Sequence, residues 1–221
     1  MYQSTIAEEV EFEGIGLHTG VYTKVKIMPT KANMGIVFKY LYNNDSYEIK
    51  ADIDRVVETN RGTTLGLDNK KIYTVEHVLS ALYGMNIDNA IIEIDNIELP
   101  ILDGSTYEYL NKIKKVGIKK LTDKKKCLII KDKVEVSKGN SKLTILPYDG
   151  FKISYSLDYE NKSIGKQKFI LESLDNYKKE ISKSRTFCTF SEIKKLKNDG
   201  LAKGGNLDNA IIYTDANTSL N

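Results

Sequence analysis

The spacing of apolar residues changes several times along this chain, and those changes restrict its fold more than any other feature. Apolar and polar residues alternate over residues 5–12, 23–28 and 36–40, with Gly and Pro between the runs, which predicts strands. Over residues 74–83 the period lengthens. Val75, Val78, Leu79 and Leu82 fall at helical spacing, and Thr74 is placed to cap the helix two residues before Glu76. The run NAIIEI, residues 89–94, reads as a buried strand, and turn-rich ELPILDGS then leads to a helix over 106–115. The lysine-rich KKLTDKKK, residues 119–126, is the natural linker. Beyond it the pattern recurs, with strands over 128–136, 142–146, 151–157, 167–171 and 209–213 and helices over 175–181 and 190–197. The expected fold is α+β, in two similar sandwich halves over residues 1–121 and 127–221, each a sheet layer packed with helices. The second half is expected to be incomplete, because the last strand is followed only by polar DANTSLN, with no helix to cover it.

Composition excludes several classes. Lys and Arg total 33 against 30 Asp and Glu, a net charge of +3 that is too balanced for nucleic acid or an anionic membrane as the main partner. Cys127 and Cys188 stand far apart, so no disulfide framework or cysteine-rich metal site is indicated. The first residues are acidic where a signal peptide needs an apolar stretch, and no apolar run is long enough to span a membrane, so a cytoplasmic protein is expected. A monomer is expected as well.

Chemistry is concentrated in a few segments. Glu76 and His77 adjoin in the predicted helix, their side chains about 100° apart, so one could bind a metal while the other handles a proton; a solvated surface pair is the plainer alternative. GIGLHTG, residues 14–20, sets three glycines around His18 and suits either a ligand loop or an ordinary hairpin. LPILDGS, residues 99–105, has a turn at Asp103 and Gly104. In SRTFCTFSEI, residues 184–193, Arg185 and Thr186 could meet negative charge or could cap a helix.

Together, TVEHVLSAL, GIGLHTG, IELPILDGS, ISKSRTF and AKGGNLDNAI resemble the UDP-3-O-acyl-N-acetylglucosamine deacetylases, zinc-dependent amide hydrolases of lipid A synthesis, from about residue 5 to 215. The resemblance implies two α+β halves with the site between them, Zn2+ as cofactor, and an acylated UDP-amino-sugar as substrate. It implies that Glu76 is the general base, His77 a zinc ligand, and Thr186 a neighbour of the oxyanion. Phe187, Arg185, Gly204 and Gly205 are implied in substrate binding, and residues 187–213 in a passage for the acyl chain. The family's other zinc ligands, a histidine and an aspartate, have no counterpart before Asn221, so a truncated, inactive homologue is the alternative expectation. Glu192 stands where family members often carry aspartate.

Overall fold

The computed structural model describes residues 1–42, 45–214 and 218–221, so part of the polar ending lies outside the described residues. The fold is α+β. The expected single strand at 5–12 is two, β1 (Tyr2–Ile6) and β2 (Val10–Ile15), in different sheets. Charged Glu8 and Glu9 are exposed at the break between them. A five-stranded sheet runs β2, β3 (Tyr22–Met28), β9 (Ala90–Ile94), β4 (Ile36–Tyr42), β5 (Asp45–Lys50), with β9 parallel to β4 and antiparallel to β3. Its centre, β9, buries Ala90, Ile92 and Ile94 and leaves Ile91 and Glu93 half-buried on the other face. A small sheet of β6 (Val56–Glu58), β7 (Thr64–Leu67) and β8 (Lys70–Ile72), absent from the sequence expectation, precedes the first helix.

Helix α1 (Glu76–Gly84) buries Val78, Ala81 and Leu82, and α2 (Tyr107–Val116) buries Tyr109, Leu110 and Ile113. These side chains, with Phe38, Ile49, Ile92 and Leu99, belong to the core of the first half or pack beside it. Each large apolar side chain so buried stabilises the fold by about 1.5–3 kcal/mol.

The lysine-rich stretch is not a free linker. Residues Ile118–Lys124 form β10, paired antiparallel with β1, because an exposed edge strand tolerates lysine on its solvent side. Beyond it lie two hairpins, β11 (Val134–Lys138) with β12 (Ser141–Ile145) and β13 (Ile153–Asp158) with β14 (Lys166–Leu171). Register sets Val134 opposite Ile145 and Val136 opposite Leu143, and these four side chains remain exposed. The expected helix at 175–181 is a single turn, α3 (Tyr177–Glu180), entered from a 3-10 turn that Ser173 caps through the Asp175 amide. Then follow β15 (Phe187–Thr189), α4 (Phe190–Asn198) and β16 (Ile211–Tyr213), the two strands pairing in parallel. No helix among the described residues is long and apolar enough to cross a membrane.

Candidate active site

Glu76 opens α1, but Thr74 does not cap it. The cap position is Val75, without a side-chain hydrogen bond, and Thr74 instead takes a positive φ of 59°. A β-branched residue there is strained, at a cost on the order of 1–3 kcal/mol. What holds it is Glu98, whose Oε1 accepts from the Thr74 hydroxyl at 2.7 Å. Glu98 is wholly buried, and the same carboxylate accepts from the His18 amide at 2.9 Å, the Thr19 amide at 2.7 Å and the Thr19 hydroxyl at 2.5 Å. One side chain thus ties the GIGLHTG loop to the start of the helix. Gly16 is required for it, since a Cβ there would lie 2.4 Å from Glu98 Oε2. The sequence reading passed over Glu98; its only signal was a carboxylate inside the apolar run IELPIL.

Glu76 and His77 are both half-buried. Glu76 Oε2 accepts from the Thr63 amide at 2.9 Å. The Cβ that Gly62 lacks would lie 3.4 Å from Glu76 Oε1 and 3.6 Å from His18 Nε2, so glycine leaves these groups facing one small space. Burial pushes the His77 imidazole below its usual pKa, against the opposing pull of Glu76 and a hydrogen bond to the Ser105 backbone. The neutral ring that results is the form a metal needs. Among the described residues, however, no three His, Cys, Asp or Glu side chains come together to hold a metal ion. His77 fits as one donor, and the described residues alone do not complete a set.

Ser182 and Thr186 close on the 103–106 turn. The Thr186 amide donates to the Gly104 carbonyl at 2.8 Å, and Thr106 donates through its amide to Ser182 O at 3.1 Å. Gly104 has φ of 85°, and a Cβ on it would lie 2.1 Å from Asn209 O, so this contact admits no larger residue. Arg185 donates Nε to Asp103 O at 2.7 Å and Nη2 to Leu207 O at 3.1 Å, which commits its guanidinium to backbone carbonyls. The GIGLHTG loop meets AKGGNLDNAI directly: Lys203 and Gly204 amides donate to the His18 and Leu17 carbonyls. A Cβ on Gly204 would lie 2.2 Å from Gly16 O, so Gly204 serves close backbone packing, while Gly205 lines the neighbouring cavity.

That cavity, of about 200 Å³, lies between the loop and the segment from Thr186 to Ile212. Phe187, Ile193, Leu196 and Ile212 give it apolar walls, and His18, Arg61 and Thr186 add polar groups. Phe187 stands edge-on to both Tyr159 and Tyr213, at ring separations of 5.6 and 5.8 Å. Arg61 joins distant segments: its carbonyl bonds His18 Nε2 at 3.1 Å, and its guanidinium pairs with Glu192 on α4.

Glu192 also accepts from the Thr189 amide at 2.9 Å and the Thr189 hydroxyl at 2.8 Å. Partial burial alone would raise the Glu192 pKa, but the Thr189 amide, Arg61 and the Thr189 hydroxyl outweigh it and hold the carboxyl below its ordinary 4.5. A depressed folded value means stability that is whole above pH 4.5 and lost as pH falls through the folded value. Thermal melts of the wild type and Glu192→Gln should therefore differ at pH 7 and converge as the pH drops below 4.5. A gap that stays constant down to pH 3 would show that Glu192 has no such role.

Comparison with known proteins identifies the family. The family model of UDP-3-O-acyl N-acetylglycosamine deacetylase matches residues 3–221. A UDP-3-O-acyl-N-acetylglucosamine deacetylase of Aliarcobacter butzleri is 41% identical over 96% of this chain and 70% of its own length. The enzyme of the same name from Helicobacter pylori is 40% identical over 100% of this chain and 74% of its own length. A bifunctional LpxC/FabZ enzyme of Chlorobaculum tepidum is 39% identical over 97% of this chain, which spans 47% of that relative. By the family model that matches nearly its whole length and by relatives about 40% identical to it, the chain belongs to the UDP-3-O-acyl N-acetylglycosamine deacetylase family.

Proposed function

We propose that Glu76 and His77 mark the hydrolytic site of a deacetylase that cleaves the 2-acetamido group of a UDP-3-O-acyl-N-acetylglucosamine, the committed step of lipid A synthesis, in the cytoplasm and as a monomer. The observation that carries the reading is the placement of Glu76 and His77. Both open α1, with Glu76 held by the Thr63 amide and facing, across Gly62, the His18 ring that lines the apolar cavity.

In the reaction a water oxygen bonds to the acetyl carbon, the C–N bond breaks, acetate leaves and the amine takes up a proton. Glu76, held through one oxygen by the Thr63 amide, has its other oxygen to take the water's proton. Zinc, when bound, lowers the pKa of water and polarises the amide carbonyl. His77 is proposed as one of its donors. Thr186, against the Gly104 carbonyl, lies near enough to the same turn to meet negative charge on the substrate. The cavity walled by Phe187, Ile193 and Ile212 receives the acyl chain, whose apolar surface it removes from water.

Among the described residues no three His, Cys, Asp or Glu side chains come together to hold a metal ion, which favours a second reading, in which this chain binds the acylated sugar nucleotide without hydrolysing it. Acetate release, zinc content and substrate binding should be measured on the purified protein. The expected result is acetate release with bound zinc, and loss of zinc and activity together in His77→Ala. Full activity in His77→Ala would refute the donor assignment, and substrate binding without acetate release in the wild type would establish the second reading.

A further inference from the structure

Arg61 stands between the Glu76 carboxylate and the apolar cavity, and it is held at both of its ends. Its backbone is left-handed, with φ of 61°, a conformation that L side chains rarely adopt. Its carbonyl bonds the His18 ring at 3.1 Å, and its guanidinium pairs with Glu192 in the first turn of α4. Glu192 does not swing freely. Its other oxygen accepts from the Thr189 amide at 2.9 Å and the Thr189 hydroxyl at 2.8 Å, which fixes the carboxylate to the start of the helix.

Two residues along the chain, Thr63 is fastened to α1 instead. Its amide donates to Glu76 Oε2 at 2.9 Å, and its carbonyl accepts from the Val75 amide at 3.2 Å. Both bonds travel with α1, so neither decides where Glu76 stands relative to α4. The short span from Arg61 to Thr63 makes that connection. At its far end α4 walls the cavity through Ile193 and Leu196, and Arg61 lines the same cavity.

We infer that Arg61 is a positioning residue: its ion pair with Glu192 holds the cavity in register with the Glu76 carboxylate, so that a chain seated in the cavity is presented at a fixed distance from the proton acceptor. An error of about 1 Å in such a bound geometry can cost on the order of 100-fold in rate. The pair is partly exposed, so its loss should change the melting temperature little. That the seated chain is the substrate's acyl group rests on the function proposed above; the linkage between cavity and carboxylate does not.

Arg61→Gln removes the charge and Arg61→Lys keeps it, so the two separate the ion pair from mere bulk. The probe is 1-hexanol, a neutral alkyl chain short enough for a cavity of about 200 Å³. Titrated into 15N-labelled protein, it should shift the Ile193 and Leu196 amides in all three proteins, and the Thr63 amide in the wild type and Arg61→Lys alone. On the 3-O-acylated sugar nucleotide, kcat of Arg61→Gln should fall roughly tenfold or more, with Arg61→Lys recovering most of the loss. The fall should be far smaller on the same nucleotide without its 3-O-acyl group, which does not use the cavity. If Arg61→Gln does not fold, Glu192→Gln breaks the same pair from α4 and should give the same results. A Thr63 amide that is silent to hexanol in the wild type, or that responds equally in Arg61→Gln, overturns the inference, as do equal falls on both substrates. The expected Thr63 pattern without acetate release from any of the proteins would uphold the linkage and refute the proposed reaction.

Discussion

Replacing Glu76 by glutamine should lower acetate release by roughly 10²–10⁴-fold, the loss expected for a missing general base. Glutamine has nearly the same shape and its side-chain oxygen can still accept from the Thr63 amide, now bound at 2.9 Å. The melting temperature should therefore hardly move, since a single neutral hydrogen bond is worth about 1 kcal/mol and is retained. What glutamine cannot do is take a proton. The pairing of a large rate loss with an unchanged melt separates a chemical role from a structural one; equal losses in both would assign Glu76 to the fold.

Replacing Glu98 by alanine should have the opposite signature, a loss of stability on the order of 3–5 kcal/mol. The carboxylate is wholly buried and serves two backbone amides and two hydroxyls. Alanine leaves those donors without their acceptor, and it also releases Thr74 from its positive φ of 59°. The hydroxyls can turn elsewhere, whereas the amides of His18 and Thr19 cannot, so the loop should loosen first. Urea unfolding would measure the loss, and amide hydrogen exchange should show faster exchange at residues 16–20 than in the β9 core. An exchange pattern unchanged from the wild type would mean that the loop is held by its contacts with Lys203 and Gly204 instead. Glu98→Gln should fall between, because an amide oxygen can accept some but not all of these bonds.

The parts of the fold legible in the sequence are those set by short-range periodicity. The helical spacing of Val75, Val78, Leu79 and Leu82 located α1, and NAIIEI located the strand that became the centre of the main sheet. Errors arose where tertiary partners overrode local pattern. KKLTDKKK looked like a linker because lysines are soluble, yet its backbone pairs with β1 at an edge where lysine side chains face water. Thr74 looked like a cap because threonine caps helices, yet its hydroxyl is drawn to Glu98, 24 residues away. Residues 5–12 read as one strand, although the alternation breaks at Ala7, Glu8 and Glu9 where β1 gives way to β2, and nothing in the local pattern says that β1 joins one sheet and β2 another.

For the site, adjacency of Glu76 and His77 and their place on a helix follow from the sequence alone, because a helix fixes the angle between neighbouring side chains wherever it sits. Which way that pair faces is decided only in three dimensions. Glu98 reaches the His18 amide across 80 residues, Tyr177 reaches Ser80 across 97, and Arg61 reaches Glu192 across 131. Local propensity is a property of near neighbours along the chain. The satisfaction of a buried polar group, and the space that only a glycine leaves open, belong to residues that folding brings together, and those contacts turn a common pair of side chains into a candidate catalytic centre.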